Sequence, residues 1–150
     1  MSHEHLGYIW AAYKRGSFGK YDGIPGDMDV DEFRWVMTDR LGKYIDAGGS
    51  VVMPIVDGIP VGMIVVSHDN NRAYPHVAWF PEATPRLRVD IGARFILSLK
   101  KTHLVMIATQ EGNLGYFRHL CKYGLLRAVG KVQGYYPDGE DAMLFQSVGQ

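Results

Sequence analysis

The chain has 150 residues, 47% of them hydrophobic, with sixteen Lys and Arg against sixteen Asp and Glu and a formal net charge of zero. That length and composition suit one ordinary domain with its own core and exclude a disordered chain. The balanced charge leaves no global field that would draw the chain onto nucleic-acid phosphates or an acidic membrane, and the lone Cys121 excludes an internal disulfide and a Cys-rich zinc site.

The first residues, Met1 to His5, show neither the basic nor the apolar region of a secretion signal, and no apolar run approaches the length of a bilayer span. The expectation is a soluble chain with no membrane partner, in a reducing compartment or in a virion assembled in one. His3 and His5 read as a polar, frayed tail and not as a metal site, because no third ligand accompanies them.

Leu6, Ile9, Trp10 and Tyr13 recur at helical spacing and predict a helix over 6–15, followed by a Gly-, Ser-, Asp- and Pro-containing loop over 16–26. Asp29 or Asp31 caps a second amphipathic helix through Tyr44, with Phe33, Val36, Met37, Leu41 and Tyr44 inward. Tyr8, Trp10, Tyr13, Tyr21, Trp35 and Tyr44 read first as packing of these helices on a sheet. Strands over 51–56 and 60–66 meet at Asp57-Gly58, a strong hairpin signal, and a third strand runs over 74–80 until Pro81 and Pro85 end it.

A helix is expected over 89–100, a short buried strand over 104–108 and a helix over 113–123, which Gly124 terminates. Strands over 129–136 and 142–147 then close a hairpin across 137–141. The predicted architecture is a single α/β domain over 1–150, with a helical part over 1–46 and a sheet-forming part over 50–148. A connecting helix of this length makes the 104–108 strand central and parallel to the strand before it.

The order of elements, the Val56 to Gly62 hairpin, and Asn113 followed by Gly124-Leu125 together resemble the GNAT N-acetyltransferase superfamily. The resemblance is spread over 30–147 and implies a mixed twisted sheet flanked by helices. It implies acetyl-CoA as cofactor, held by backbone N–H groups of a glycine-rich loop at a helix N-terminus. Gly92, Ala93 and Asn113 are the cofactor-binding candidates under that reading. The loop departs from the family: Asp90 falls where its first glycine belongs and Leu87 where Arg or Gln belongs. Tyr116 replaces a small residue beside the cofactor, and Leu120 stands where active members often carry a proton-donating tyrosine. Tyr123 lies one turn further on. These departures imply weak or absent acetyl-CoA binding and no catalytic residue.

The text over 79–86 and 119–124 resembles small acetyltransferase-like proteins of tailed bacteriophages, including an internal virion protein of podoviruses. That resemblance implies a non-catalytic structural component of a phage particle with no cofactor, assembled in the host cytoplasm. Its partners would be other virion chains, with a symmetric assembly among the arrangements open to it. Trp79, Phe80, Pro85, Arg86 and Arg88 are the interface candidates, since aromatic and Arg side chains anchor interfaces. The alternative is a cytoplasmic acetyl-CoA-dependent N-acetyltransferase with an atypical cofactor loop. His119 and Cys121, two positions apart on a helix, point to different faces and make no nucleophile pair. Glu111 and Asp90 read as solvated charges near helix starts before they read as bases.

Overall fold

The computed structural model describes residues 3–18 and 22–149. In chain order it contains α1 (His3–Lys14), α2 (Val30–Asp46), β1 (Ser50–Val52), β2 (Ile55–Val56), β3 (Ile59–Pro60), β4 (Gly62–Asp69) and β5 (Arg72–Trp79). Then come α3 (Pro85–Leu99), β6 (Leu104–Thr109), a 3-10 turn (Glu111–Asn113), α4 (Leu114–Lys122), β7 (Leu126–Val132) and β8 (Ala142–Ser147). A mixed sheet has the order β1-β4-β5-β6-β8-β7, and β2 and β3 form a separate ribbon. As expected, β6 is an inner strand. It runs parallel to β5, with Arg72 opposite Leu104, and antiparallel to β8, with Met106 opposite Gln146. The α3 helix supplies the crossover that a parallel pair needs.

The chain divides into two compact units, Met1–Ser67 with His76–Thr84 and His68–Pro75 with Pro85–Gln150, and β4 and β5 run through both. In the first unit, Phe33, Met37 and Leu41 recur one turn apart on α2 and are buried with Ile9 and Ala12 of α1, Met63 and Val65 of β4, and Phe80. Asp29 caps α2, its carboxylate accepting from the N–H groups of Asp31 and Glu32 at 2.9 Å each. The Tyr13 hydroxyl donates to the Pro25 carbonyl at 2.7 Å and accepts from the Met28 N–H at 3.1 Å, which ties the loop before α2 to α1. Asp22 pairs with His76 at the same loop.

In the second unit, Ile96 of α3, Phe117 and Leu120 of α4, Leu125, Leu126 and Phe145 form the core, with the Phe117 and Phe145 rings stacked at 5.3 Å. Gly124, at φ +74°, turns the chain out of α4 so that Leu125 and Leu126 enter this core directly.

Several boundaries differ from expectation. Helix α1 begins at His3, so His3 and His5 are helical and not a frayed tail. The strand expected over 51–56 breaks at Met53-Pro54: β1 pairs with β4, whereas Ile55-Val56 pairs with Ile59-Pro60 across Asp57 and Gly58, both at positive φ. Proline without an N–H cannot continue the ladder. Helix α3 starts at Pro85 instead of Val89, because proline has its φ preset for the first helical position, where no intrahelical N–H bond is lost. Strand β7 lies over Leu126–Val132 instead of 129–136, shifted by the anchoring of Leu126 in the core, and carries a bulge between Ala128 and Gly130. Tyr21 lies outside the described residues. Trp35 does not pack on the sheet: it is 71% exposed, well round the helix from the buried Phe33.

Candidate functional site

The second unit holds most of the residues that carry the cofactor expectation. Arg88 and Gly92 stand four residues apart on α3 and so face the same way, toward Tyr116 of α4. The Tyr116 hydroxyl donates to the Arg88 carbonyl at 3.3 Å, and a Cβ on Gly92 would overlap the phenolic oxygen. Gly92 is thus buried against a side chain of its own unit, and the space its missing side chain leaves is filled by Tyr116. Burial pushes the Tyr116 phenol up to about 12, so it stays protonated across the physiological range.

Ala93 packs against the core of the unit. Asn113 is exposed in the 3-10 turn before α4, and its side chain makes no capping bond to that helix. Gly92, Ala93 and Asn113 therefore do not share one environment. Leu120 is completely buried in the core, so it lines no open site, while Tyr123 at the end of α4 is 65% exposed.

Asp90 does not project from a loop. It sits inside α3 with its carboxylate 3.4 Å from the Arg94 guanidinium on an exposed face. Glu111 is exposed, 3.7 Å from the Lys131 ammonium, which also meets Asp141 at 3.2 Å. His119 is exposed and Cys121 half-buried on α4, and burial raises the Cys121 thiol above its usual range. Among the described residues, no three His, Cys, Asp or Glu side chains come together in a way that could hold a metal ion.

The five interface candidates divide. Phe80 is no surface anchor: it is 2% exposed in the core of the first unit, its N–H bonded to the Val61 carbonyl at 2.9 Å. Trp79 is half-buried against Gly62, whose Cβ would lie 3.0 Å from the indole. Pro85 and Arg86 are exposed and Arg88 half-buried in the first turn of α3.

Zero net charge conceals a partition. The first unit carries ten Asp and Glu against six Lys and Arg, and the second carries ten Lys and Arg against six Asp and Glu. Composition pooled over the whole chain hides this, since the unit boundary crosses β4 and β5 and is set only by folding. The Gly92 and Tyr116 pairing was equally hidden, although a glycine inside an otherwise good helix already signals a close approach.

No family model and no curated protein matches the sequence. Solved structures do match in fold. One is described as a probable acetyltransferase, at 16% identity over 99% of this chain and 89% of its own, with a TM-score of 0.74. Another is a spermidine N-acetyltransferase chimera from Vibrio cholerae and hSSAT, at 11% identity over 99% and 92%, with a TM-score of 0.73. A third is a ribosomal-protein-alanine N-acetyltransferase from Brucella melitensis, at 13% identity over 99% and 97%, with a TM-score of 0.70. These likenesses lend no support to a phage-particle role. At such low identity they speak to architecture, and with the mixed sheet, the α3 crossover and the closing hairpin they establish that this chain has the GNAT acetyltransferase fold.

Proposed function

We propose that the protein is an acetyl-CoA-dependent N-acetyltransferase with an atypical cofactor loop. The observation that carries this reading is the likeness of nearly the whole chain to N-acetyltransferases, on both sides of each comparison. The second unit's excess of ten basic over six acidic residues supports it, because acetyl-CoA is an anion rich in phosphate.

The fit of the cofactor to these residues is specific about position. Gly92 offers no cradle, since Tyr116 fills the space beside it. The first turn of α3 does fit: Arg86 and Arg88 stand at a helix N-terminus, where charge and dipole both favour phosphate oxygens. Asp90 opposes this less than its sequence position implies, being paired with Arg94 on an exposed face. Acetyl-CoA supplies an activated acetyl group as a thioester, which a neutral amine attacks to give an amide and free CoA thiol. In this chain Arg86 and Arg88 would hold and orient the cofactor, and Tyr116 ties α4 to α3 through the Arg88 carbonyl. Leu120, buried and without a proton to give, takes no part in acid catalysis.

Calorimetric titration of the full chain with acetyl-CoA tests the proposal. Saturable binding is expected, weakened about tenfold by Arg86→Ala together with Arg88→Ala, with release of thiol when a primary amine is added. A folded protein that binds no acetyl-CoA at millimolar concentration would overturn it.

A further inference from the structure

His68 lies near the end of β4 and His103 directly precedes β6, so β5 and α3 separate them in sequence. Both nevertheless belong to the second unit, and their rings lie 4.7 Å apart between centroids, tilted by 43°. Both residues are half-buried. The Nδ1 atom of His68 is buried and, among the described residues, has no hydrogen-bond partner. Buried polar atoms are nearly always satisfied, so such an exception calls for a ligand or an ion.

The bonds beside His103 set its tautomer. The Thr102 hydroxyl donates to the Leu99 carbonyl at 3.4 Å and lies 2.8 Å from His103 Nδ1. A hydroxyl has a single proton, and with that proton directed to Leu99 its oxygen accepts from His103. Nδ1 of His103 then carries the hydrogen, and Nε2 keeps its lone pair. Metal-binding histidines are held in this way, one nitrogen bonded to an outer partner and the other left to ligate.

We propose that His68, through Nδ1, and His103, through Nε2, bind one divalent transition-metal ion of the zinc class, with solvent completing its coordination. Zinc–nitrogen bonds of about 2.0–2.1 Å place each imidazole centroid about 3.2 Å from the ion, and angles of about 90–110° at the metal then separate the centroids by about 4.5–5.2 Å. The observed 4.7 Å falls inside that range. Ring stacking alone would leave the buried His68 nitrogen unsatisfied. Imidazole suits zinc, nickel and copper, whereas magnesium prefers oxygen ligands. Among the described residues no third His, Cys, Asp or Glu joins the pair, so the site is open and binds less tightly than a closed four-ligand site. A bound ion clips the end of β4 to the start of β6. The site does not depend on the acetyl-transfer reading.

The test titrates zinc chloride into the full chain carrying His3→Gln and His5→Gln, which removes a second histidine pair able to capture zinc, and follows both imidazoles by NMR. Saturable, matched shifts of the two rings are expected, with a raised melting temperature and no response to magnesium. Affinity should fall at least about tenfold in His103→Gln and about tenfold in Thr102→Val, at a half-buried and an exposed position. No saturation at millimolar zinc, shifts confined to one ring, an equal response to magnesium, or unchanged affinity in either folded variant would each overturn the proposal.

Discussion

The phenolic oxygen of Tyr116 lies where a side chain on Gly92 would begin, and the same hydroxyl reaches back one turn to the Arg88 carbonyl at 3.3 Å. Glycine inside a helix ordinarily costs about 1 kcal/mol relative to alanine, so Gly92→Ala would stabilise an open site. Here it should destabilise by roughly 1–3 kcal/mol through overpacking, read as a lower urea midpoint at unchanged slope. Removing the oxygen with Tyr116→Phe should recover part of that loss in the double variant; a stabilised Gly92→Ala single variant would disprove the contact.

Tyr116 also sets an alkaline limit. Its folded pKa, about 12, lies above the usual tyrosine value of 10.0 because burial disfavours the phenolate. The unfolded chain therefore releases this proton first, and its contribution to stability is whole below pH 10 and declines between pH 10 and 12. Denaturation of wild type and Tyr116→Phe at pH 9, 10 and 11 should show their difference narrowing as pH rises. A constant difference would place the phenol in contact with water.

The Ser147 side chain bonds to the backbone of β6. Its hydroxyl accepts the Val105 N–H at 3.0 Å, and both residues are buried where β6 begins. Ser147→Ala would leave that N–H buried without a partner and should cost about 1–3 kcal/mol. Ser147→Thr keeps the oxygen and should lose less. Equal losses in the two variants would show that packing, and not the hydrogen bond, matters at this position.

Cys121 should be a slow thiol. Burial raises its pKa, and the thiolate is the reactive form. Modification by an aromatic disulfide reagent at pH 8 should be markedly slower in the folded protein than in urea. Matching rates would mean that the side chain is open to solvent.

Asp29 is the N-cap of α2, accepting two backbone N–H groups. Asp29→Ala should cost about 1 kcal/mol, and Asp29→Ser should restore most of it, in thermal melts at pH 7. An unaffected melting temperature in Asp29→Ala would mean that water caps the helix equally well.

Local chemistry was legible in the amino-acid order. The 3.6-residue spacing of Phe33, Met37 and Leu41, the Asp57-Gly58 turn, the Gly124 stop and the apolar run at 104–108 each commit a segment through its nearest neighbours, and the architecture followed from their succession. Boundaries that depend on proline were misplaced where the same residue can end one element or begin another, as at Pro85. What only the tertiary structure decided was pairing between segments far apart in sequence. Tyr116 fills the space beside Gly92, Ser147 answers the Val105 N–H, Phe80 is in a core while Trp35 is not, and a neutral chain divides into an acidic and a basic unit. Periodicity tells which face of a helix or strand is turned inward, but the neighbour that covers that face is chosen by packing at a distance.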